Sequence, residues 1–294
     1  MRRKSSITKT VTPYLLLLPS FIFLMLFTLY PIIKNIFLSF YHSDLGIAEP
    51  IFVGGDNFSR MLEDEVFWKV LKNNIIFAAG TVPFGVGLGF LMAILVNRAI
   101  RANSIVKTFF FYPIVIPVIA VANIWLFIYT PEYGLLSQFL SVFGIESVNM
   151  LGNKNTVMLA MIIMLIWKEA GFFMIFYLAG LQNVPRELYE ASMIDGASSW
   201  YRFRRITFPL LMPTTLFVMI IAITNAFKLV DHLVVMTQGG PDNASNLLLF
   251  YIYENAFKFM DYGMAATLTV VMLVLMVAIS AFQFFSMDKK IHYS

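Results

Sequence analysis

The sequence predicts an all-α polytopic membrane protein of six transmembrane helices, with the N and C termini both cytoplasmic. Three observations lead there. Apolar residues make up 59% of the 294-residue chain and charged residues only 13%, whereas an ordinary soluble domain carries about a quarter charged residues. The apolar residues fall in blocks of about twenty, the length a helix needs to cross a hydrocarbon core roughly 30 Å thick. Basic residues gather in alternate connections between those blocks, the asymmetry that orients a polytopic chain. The blocks must be helices, because lipid offers no hydrogen-bond partner to an open strand.

Taken in order, spans are expected near Tyr14–Ile33, Asn74–Val96, Phe109–Tyr129, Val157–Ala179, Leu211–Val230 and Tyr262–Phe285. The first follows a basic lead, Met1–Lys9, in the manner of a signal peptide. Its apolar run is too long for an h-region and no A-x-A site follows, so it reads as an uncleaved signal anchor. In the long connection Tyr41–Asn73, Gly54-Gly55-Asp56 makes a turn, and Asn57 or Ser59 is placed to cap a helix from about Arg60. Met61, Leu62, Val66, Val70 and Leu71 recur there at helical spacing, which suits a helix on the membrane surface or a contact with an outside partner. In span two, Gly85 and Gly89 form a small-xxx-small pair, the pattern of close helix packing. Pro83, Pro113 and Pro117 each remove a backbone donor and predict kinks, tolerated where neighbours or a cavity satisfy the freed carbonyls. Span four carries Lys168 and Glu169 near its middle, where an isolated charge costs roughly 2.5–3.5 kcal/mol on insertion scales. Helical neighbours point about 100° apart, so the two must face different surroundings. Lys228 and Asp231 crowd the end of span five. With no internal repeat, low-complexity tract or soluble insertion, residues 1–294 read as a single transmembrane domain.

The net charge is +4, and its distribution argues against nucleic acid. Arg2, Arg3, Lys4 and Lys9 precede span one, and Arg98, Arg101 and Lys107 follow span two. Arg186, Arg202, Arg204 and Arg205 lie between spans four and five, and Lys289 and Lys290 close the chain. The opposite connections hold Arg60, Lys69, Lys72, Lys154 and Lys258, diluted by the acids Asp44, Glu49, Asp56, Glu63, Asp64 and Glu65. The basic side is therefore cytoplasmic. There is no cysteine, which removes disulfides, thiolate catalysis and Cys-type zinc sites together. His42, His232 and His292 stand far apart at no metal-ligand spacing, so neither metal nor cofactor is expected. No Gly-x-x-x-x-Gly-Lys-Ser/Thr phosphate loop occurs. If ATP drives this protein, another chain must bind it.

Between spans four and five the chain reads Glu190-Ala191-Ser192-Met193-Ile194-Asp195-Gly196-Ala197, and Ile206 and Pro209 follow. Pro185 suits a helix start, Glu187 and Glu190 lie early where the helix dipole favours acids, and Gly196 offers the left-handed turn that ends a helix. Ser198 or Ser199 is placed to cap a second helix running to about Arg205, before Pro209. Small residues keep the turn thin, so that it can enter a groove on a partner. An ordinary inter-span loop is the plain alternative.

This segment resembles the EAA loop of binding-protein-dependent ABC importer permeases. In that family Glu-Ala-Ala is followed after three residues by Gly and, after nine more, by Ile-x-Leu-Pro. Glu190, Gly196, Ile206 and Pro209 keep each spacing, with Ser192 replacing the second Ala and Phe208 replacing Leu. The likeness extends to Trp167, Gly171 and Leu178-Ala179-Gly180-Leu181-Gln182-x-x-Pro185. It includes Thr237-Gln238-Gly239-Gly240-Pro241, Tyr251-x-Tyr253-x-x-Ala256-Phe257, Pro13-Tyr14-Leu15-x-x-x-Pro19 and Tyr30-Pro31. Together these are similar to the carbohydrate-uptake branch, to its MalF/UgpA type of subunit rather than the sister MalG type.

The resemblance implies a non-catalytic permease with a MalF-like fold in the cytoplasmic (inner) membrane of a bacterium or archaeon. Its cargo would be a sugar or oligosaccharide, or else glycerol 3-phosphate or a related polyol phosphodiester. Its partners would be a sister permease subunit, two cytoplasmic ATPase subunits and an external solute-binding protein. Residues 180–213 would be the coupling loop, with Glu190, Ala191, Ser192, Asp195, Gly196 and Ala197 at the ATPase. The family builds its substrate path partly from span four after the Trp and from span five. That implies Lys168, Glu169 and Phe172, with Asn225 and Lys228, as candidates. A self-sufficient secondary carrier using Lys168 and Glu169 for ion coupling is the competing class, and the loop counts against it.

Overall fold

The structure is a computed structural model that describes residues 4–46, 49–98, 103–145 and 148–288. Arg2, Arg3, Arg101, Lys289, Lys290 and His292 lie outside the described residues. In chain order the elements are α1 (Lys4–Leu24), a π turn (Met25–Leu29), α2 (Tyr30–Leu38), β1 (Tyr41–His42), β2 (Ile51–Phe52), α3 (Asp56–Glu63), α4 (Glu65–Arg98), α5 (Asn103–Val115), α6 (Val118–Tyr129) and α7 (Leu135–Ser141). Then come α8 (Val157–Gln182), α9 (Arg186–Ile194), α10 (Ser199–Arg202), a second π turn (Phe203–Thr207), α11 (Phe208–Leu210), α12 (Met212–Lys228), α13 (Asp231–Met236), α14 (Leu248–Tyr253), a third π turn (Glu254–Lys258) and α15 (Tyr262–Asp288). Among the described residues five helical stretches are long and apolar enough to cross a membrane: Thr12–Leu38, Glu65–Asn97, Val157–Gln182, Met212–Met236 and Tyr262–Phe285. The third expected span, Phe109–Tyr129, is instead a pair, Ile105–Val115 and Val118–Tyr129, bent by 97°.

That break has a plain cause. Pro117 caps α6 with extended geometry, φ −53° and ψ 140°, and it has no N–H to return to the carbonyl of Pro113. Pro83, by contrast, lies inside a continuous α4. Proline alone therefore does not decide where the chain turns.

The chain divides into two compact units, Met1–Asp64 with Ile252–Leu273, and Glu65–Tyr251 with Val274–Ser294. In the first, Asn57 is buried and does not cap a helix as expected. Its amide donates to the carbonyls of Ser39 at 3.0 Å and Tyr41 at 2.9 Å, while Thr267 donates to Ser39 at 3.2 Å. Arg60 pairs with Asp261 at 3.0 Å. The single helix expected from Arg60 to Leu71 is also corrected. It is interrupted at Asp64, which is extended at ψ 113°, and Val66, Val70 and Leu71 belong to the start of α4. The apolar periodicity runs across the interruption, which is why periodicity does not reveal it.

The second unit is organised around α8, whose most apolar window is 61% buried. Helix α4 crosses it along glycines, as the small-xxx-small pair predicts. A Cβ on Gly89 would lie 2.7 Å from Cβ of Phe173 and 2.8 Å from the carbonyl of Ala170, and one on Gly85 would touch the Phe173 ring at 3.4 Å. Phe77, Phe173, Met174, Tyr177, Leu211 and Val218 share the resulting core. Near the N-terminal end of α4, Asn73 donates to the carbonyls of Asn243 at 2.8 Å and Asn246 at 3.0 Å, and Asn74 accepts from the Leu248 N–H at 2.6 Å. These bonds hold the segment Asn243–Leu248 that follows the Gly239-Gly240-Pro241 turn, while Lys69 pairs with Asp242 at 3.1 Å.

Candidate functional site

The first helix and the turn of the patterned segment form as the sequence suggests, whereas the second helix, expected to reach about Arg205, ends at Arg202 and gives way to the second π turn, Phe203–Thr207. Pro185 takes φ −58° and ψ 128° and opens α9. At the other end the N–H of Gly196 returns to Met193 at 3.1 Å and that of Ala197 to Ser192 at 2.9 Å. With Gly196 at φ +72°, this is the Schellman ending, which uses up two of the carbonyls a helix end leaves open. Ser192 is buried and its hydroxyl donates to the Tyr189 carbonyl at 2.8 Å. Serine is thus accommodated where the family has alanine, because the helix's own backbone satisfies its polar atom. Ser198, not Ser199, caps the second helix, accepting from the Tyr201 N–H at 3.2 Å. Tyr189 and Thr207 share a hydroxyl–hydroxyl bond of 2.8 Å that fastens α9 to the second π turn.

The outcome is a thin helix–turn–helix whose tip faces outward. Glu190, Ala191, Asp195 and Gly196 are exposed, and Ala197 is partly so. The sequence reading missed apolar residues on the same tip. Ile194 is 87% exposed, with Met193, Trp200 and Tyr201 each more than half exposed. Their signal was present in the polar run as isolated apolar residues, but they look like the buried face of an amphipathic helix until the turn is built.

The second set of candidates lies on α8 and α12, and the structure separates its members. Glu169 is buried and accepts from the side-chain amide of Asn225 at 2.8 Å. The two face a small cleft lined also by Thr81, Val82, Leu165, Ile166, Phe173 and Ala222. Lys168 points elsewhere. It is 2% exposed and donates to the carbonyls of Ile116 at 2.9 Å and Pro113 at 3.3 Å. Phe172 lies in an aromatic ladder, edge-on to Phe176 at 4.9 Å, which is edge-on to Phe217 of α12 at 5.2 Å. Lys228 is exposed in the last turn of α12. Glu169 and Asn225 are therefore brought together, whereas Lys168, Phe172 and Lys228 each stand apart from the cleft.

Residues 85–290 match the family described as binding-protein-dependent transport system inner membrane component. The chain belongs to that family. The permease is 34% identical over 95% of its length to the probable ABC transporter permease protein YurN of Bacillus subtilis, covering 98% of that protein. It is 33% identical to the sn-glycerol-3-phosphate transport system permease protein UgpA of Agrobacterium fabrum, over 96% and 97% of the two chains. It is 31% identical to the trehalose/maltose transport system permease protein MalF of Thermococcus litoralis, over 90% of each. Its fold matches a crystal structure of a bacterial ABC transporter involved in the import of the acidic polysaccharide alginate. The TM-score is 0.87 at 24% identity, covering 98% and 99% of the chains. A second alginate transporter structure, in complex with an alginate pentasaccharide-bound periplasmic protein, matches with TM-score 0.84 and 25% identity over 96% of each chain. The permease is thus a multi-pass membrane subunit of an ABC importer with the fold expected of it.

Proposed function

We propose that this permease serves an ATP-driven importer of a sugar or oligosaccharide in the bacterial or archaeal cytoplasmic membrane. Its termini and its coupling loop are cytoplasmic. It works with a sister permease subunit, two ATPase subunits and an external solute-binding protein. ATP binding draws the ATPases together and pushes the tip Glu190–Ala197. The exposed Ile194 and Met193 give that tip apolar area to bury in the ATPase cleft, and Glu190 supplies a charge at its rim. No covalent chemistry belongs to this chain; ATP hydrolysis resides on the separate ATPase subunits.

The observation that carries the sugar reading is the Glu169–Asn225 pair at the cleft between α8 and α12. A carboxyl group and an amide offer acceptors and donors to sugar hydroxyls, and Phe172, on the same helix but apart from the cleft, offers an aromatic ring further along the path. Relatives named for sugars and for glycerol 3-phosphate leave both cargo classes open. The cleft favours the first, because its one ionisable side chain is a carboxyl and neither lysine candidate faces it. Lys228, exposed at the end of α12, remains the group a phosphate ester would use further along the path.

The test is ligand-stimulated ATPase activity of the assembled complex with its binding protein, screened across neutral sugars, oligosaccharides and glycerol 3-phosphate. Stimulation by a neutral sugar, reduced about tenfold or more by Glu169→Gln with membrane abundance unchanged, is the expected result. Stimulation by glycerol 3-phosphate alone, sensitive to Lys228→Ala and indifferent to Glu169→Gln, transfers the assignment to the second cargo class.

A further inference from the structure

The 97° break between α5 and α6 sits against the one buried lysine among the described residues. Pro117 lacks the N–H that would close on the carbonyl of Pro113. The carbonyl of Ile116, just past the last residue of α5, is open as well, since helix ends leave their final carbonyls without intrahelical donors. In a hydrocarbon interior such groups need partners from elsewhere in the protein. Lys168 supplies both, at 3.3 Å and 2.9 Å. Its charge also suits the place, because a cation is favourable at the C-terminal end of a helix.

Helix α8 holds the two arms on either side of this apex. Three residues on from Lys168, Gly171 presents no side chain, and the carbonyl of Phe110 on α5 occupies the space a Cβ would fill. On the other arm, the Tyr129 hydroxyl of α6 donates to the carbonyl of Ala160 at 2.9 Å, and Trp125 meets Trp167 edge-on at 5.8 Å. Helix α8 therefore carries α5 by backbone contact, α6 by a hydroxyl and a ring, and the bend itself by one ammonium. The next residue is Glu169, which faces the cleft.

We propose that Lys168 is a positioning residue for transport. Its ammonium takes the Pro113 carbonyl that Pro117 leaves open and the Ile116 carbonyl at the end of α5, and fixes the angle between α5 and α6, and with it the orientation of the helix that presents Glu169. The role depends on Pro117, so the two positions are energetically coupled. A lysine that contacts cargo would show no such dependence.

The chain has no cysteine, so nitroxide labels can be placed on the exposed sites Phe109→Cys of α5 and Phe127→Cys of α6 and their separation measured in the assembled complex. Lys168→Met is expected to broaden or shift that distance and to cut uptake at least tenfold, while Lys168→Arg keeps the distance and at least a third of the uptake. Lys168→Met is also expected to lower thermal stability less in a Pro117→Ala background, where the restored backbone N–H meets the Pro113 carbonyl. An unchanged distance in Lys168→Met overturns the proposal whether or not uptake falls, as do strictly additive effects at the two positions. If Lys168→Met fails to accumulate, Lys168→Arg decides. A native distance with retained uptake supports the role, and loss of either overturns it. The distance measurement needs no cargo, so its failure is separable from failure of the sugar assignment.

Discussion

At Gly196 one backbone angle carries the turn of the proposed coupling loop. The residue sits at φ +72°, and a Cβ there would meet nothing within 4 Å. A side chain is therefore excluded by backbone conformation and not by crowding. Left-handed geometry costs a non-glycine residue roughly 1–2 kcal/mol, and a shift of that size changes a population about 5–30-fold. Gly196→Val is expected to insert and accumulate normally while uptake falls by about that factor. Uptake measured beside membrane abundance checks it, and normal uptake by a stably inserted variant sinks the coupling assignment. The glycine was legible in the sequence because left-handed turns have a residue signature. Ser192 was legible only as a departure from the family pattern. Its compensation, a hydroxyl turned back onto the Tyr189 carbonyl, depends on helix geometry that no spacing displays.

At the scale of helices, close approach decides which glycines matter. On Gly171 a Cβ would run into the backbone carbonyl of Phe110, whereas on Gly87 it would meet nothing within 4 Å. A carbonyl in a packed helix cannot rotate aside as a side chain can. Gly171→Ala is expected to destabilise the permease by about 1–3 kcal/mol, the usual range for overpacking. Gly87→Ala is expected to be neutral or mildly stabilising, since alanine is the better helix former. Thermal unfolding of the two variants in detergent checks the contrast, and equal midpoints would refute the packing account. The same comparison shows what the sequence could and could not display. The Gly85–Gly89 pair announced close packing because both members lie on one helix at a fixed spacing. Gly171 and Lys168 answer to backbone carbonyls on another helix, and carbonyls are the same at every residue. Span three was accordingly counted as one helix with kinks at Pro113 and Pro117, whereas the structure breaks it by 97°. The lysine that satisfies the carbonyls at its bend lies fifty-one residues after Pro117 by sequence number.

At the scale of the whole molecule, orientation rests on charge, and charge makes a claim that geometry alone does not. The basic residues of the proposed coupling segment, Arg186, Arg202, Arg204 and Arg205, lie on the connection opposite in parity to the acid-rich one holding Asp56, Glu63, Asp64 and Glu65. An even number of crossings between two connections would put them on one side; the spans between Asp64 and Arg186 number three when the bent pair crosses as a unit. The bend thus bears on topology. If α5 and α6 together crossed only partway and returned, two crossings would remain and both connections would share a side, against the positive-inside asymmetry. The absence of cysteine makes this directly measurable with two single substitutions at exposed sites, Ser59→Cys on α3 and Ile194→Cys at the tip of the helix–turn–helix. An impermeant maleimide is expected to label Ser59→Cys in intact wall-stripped cells, and Ile194→Cys only after permeabilisation. Labelling of both from outside would show a re-entrant α5–α6 pair. It would place the helix–turn–helix beyond reach of any cytoplasmic ATPase, however well its shape suits one.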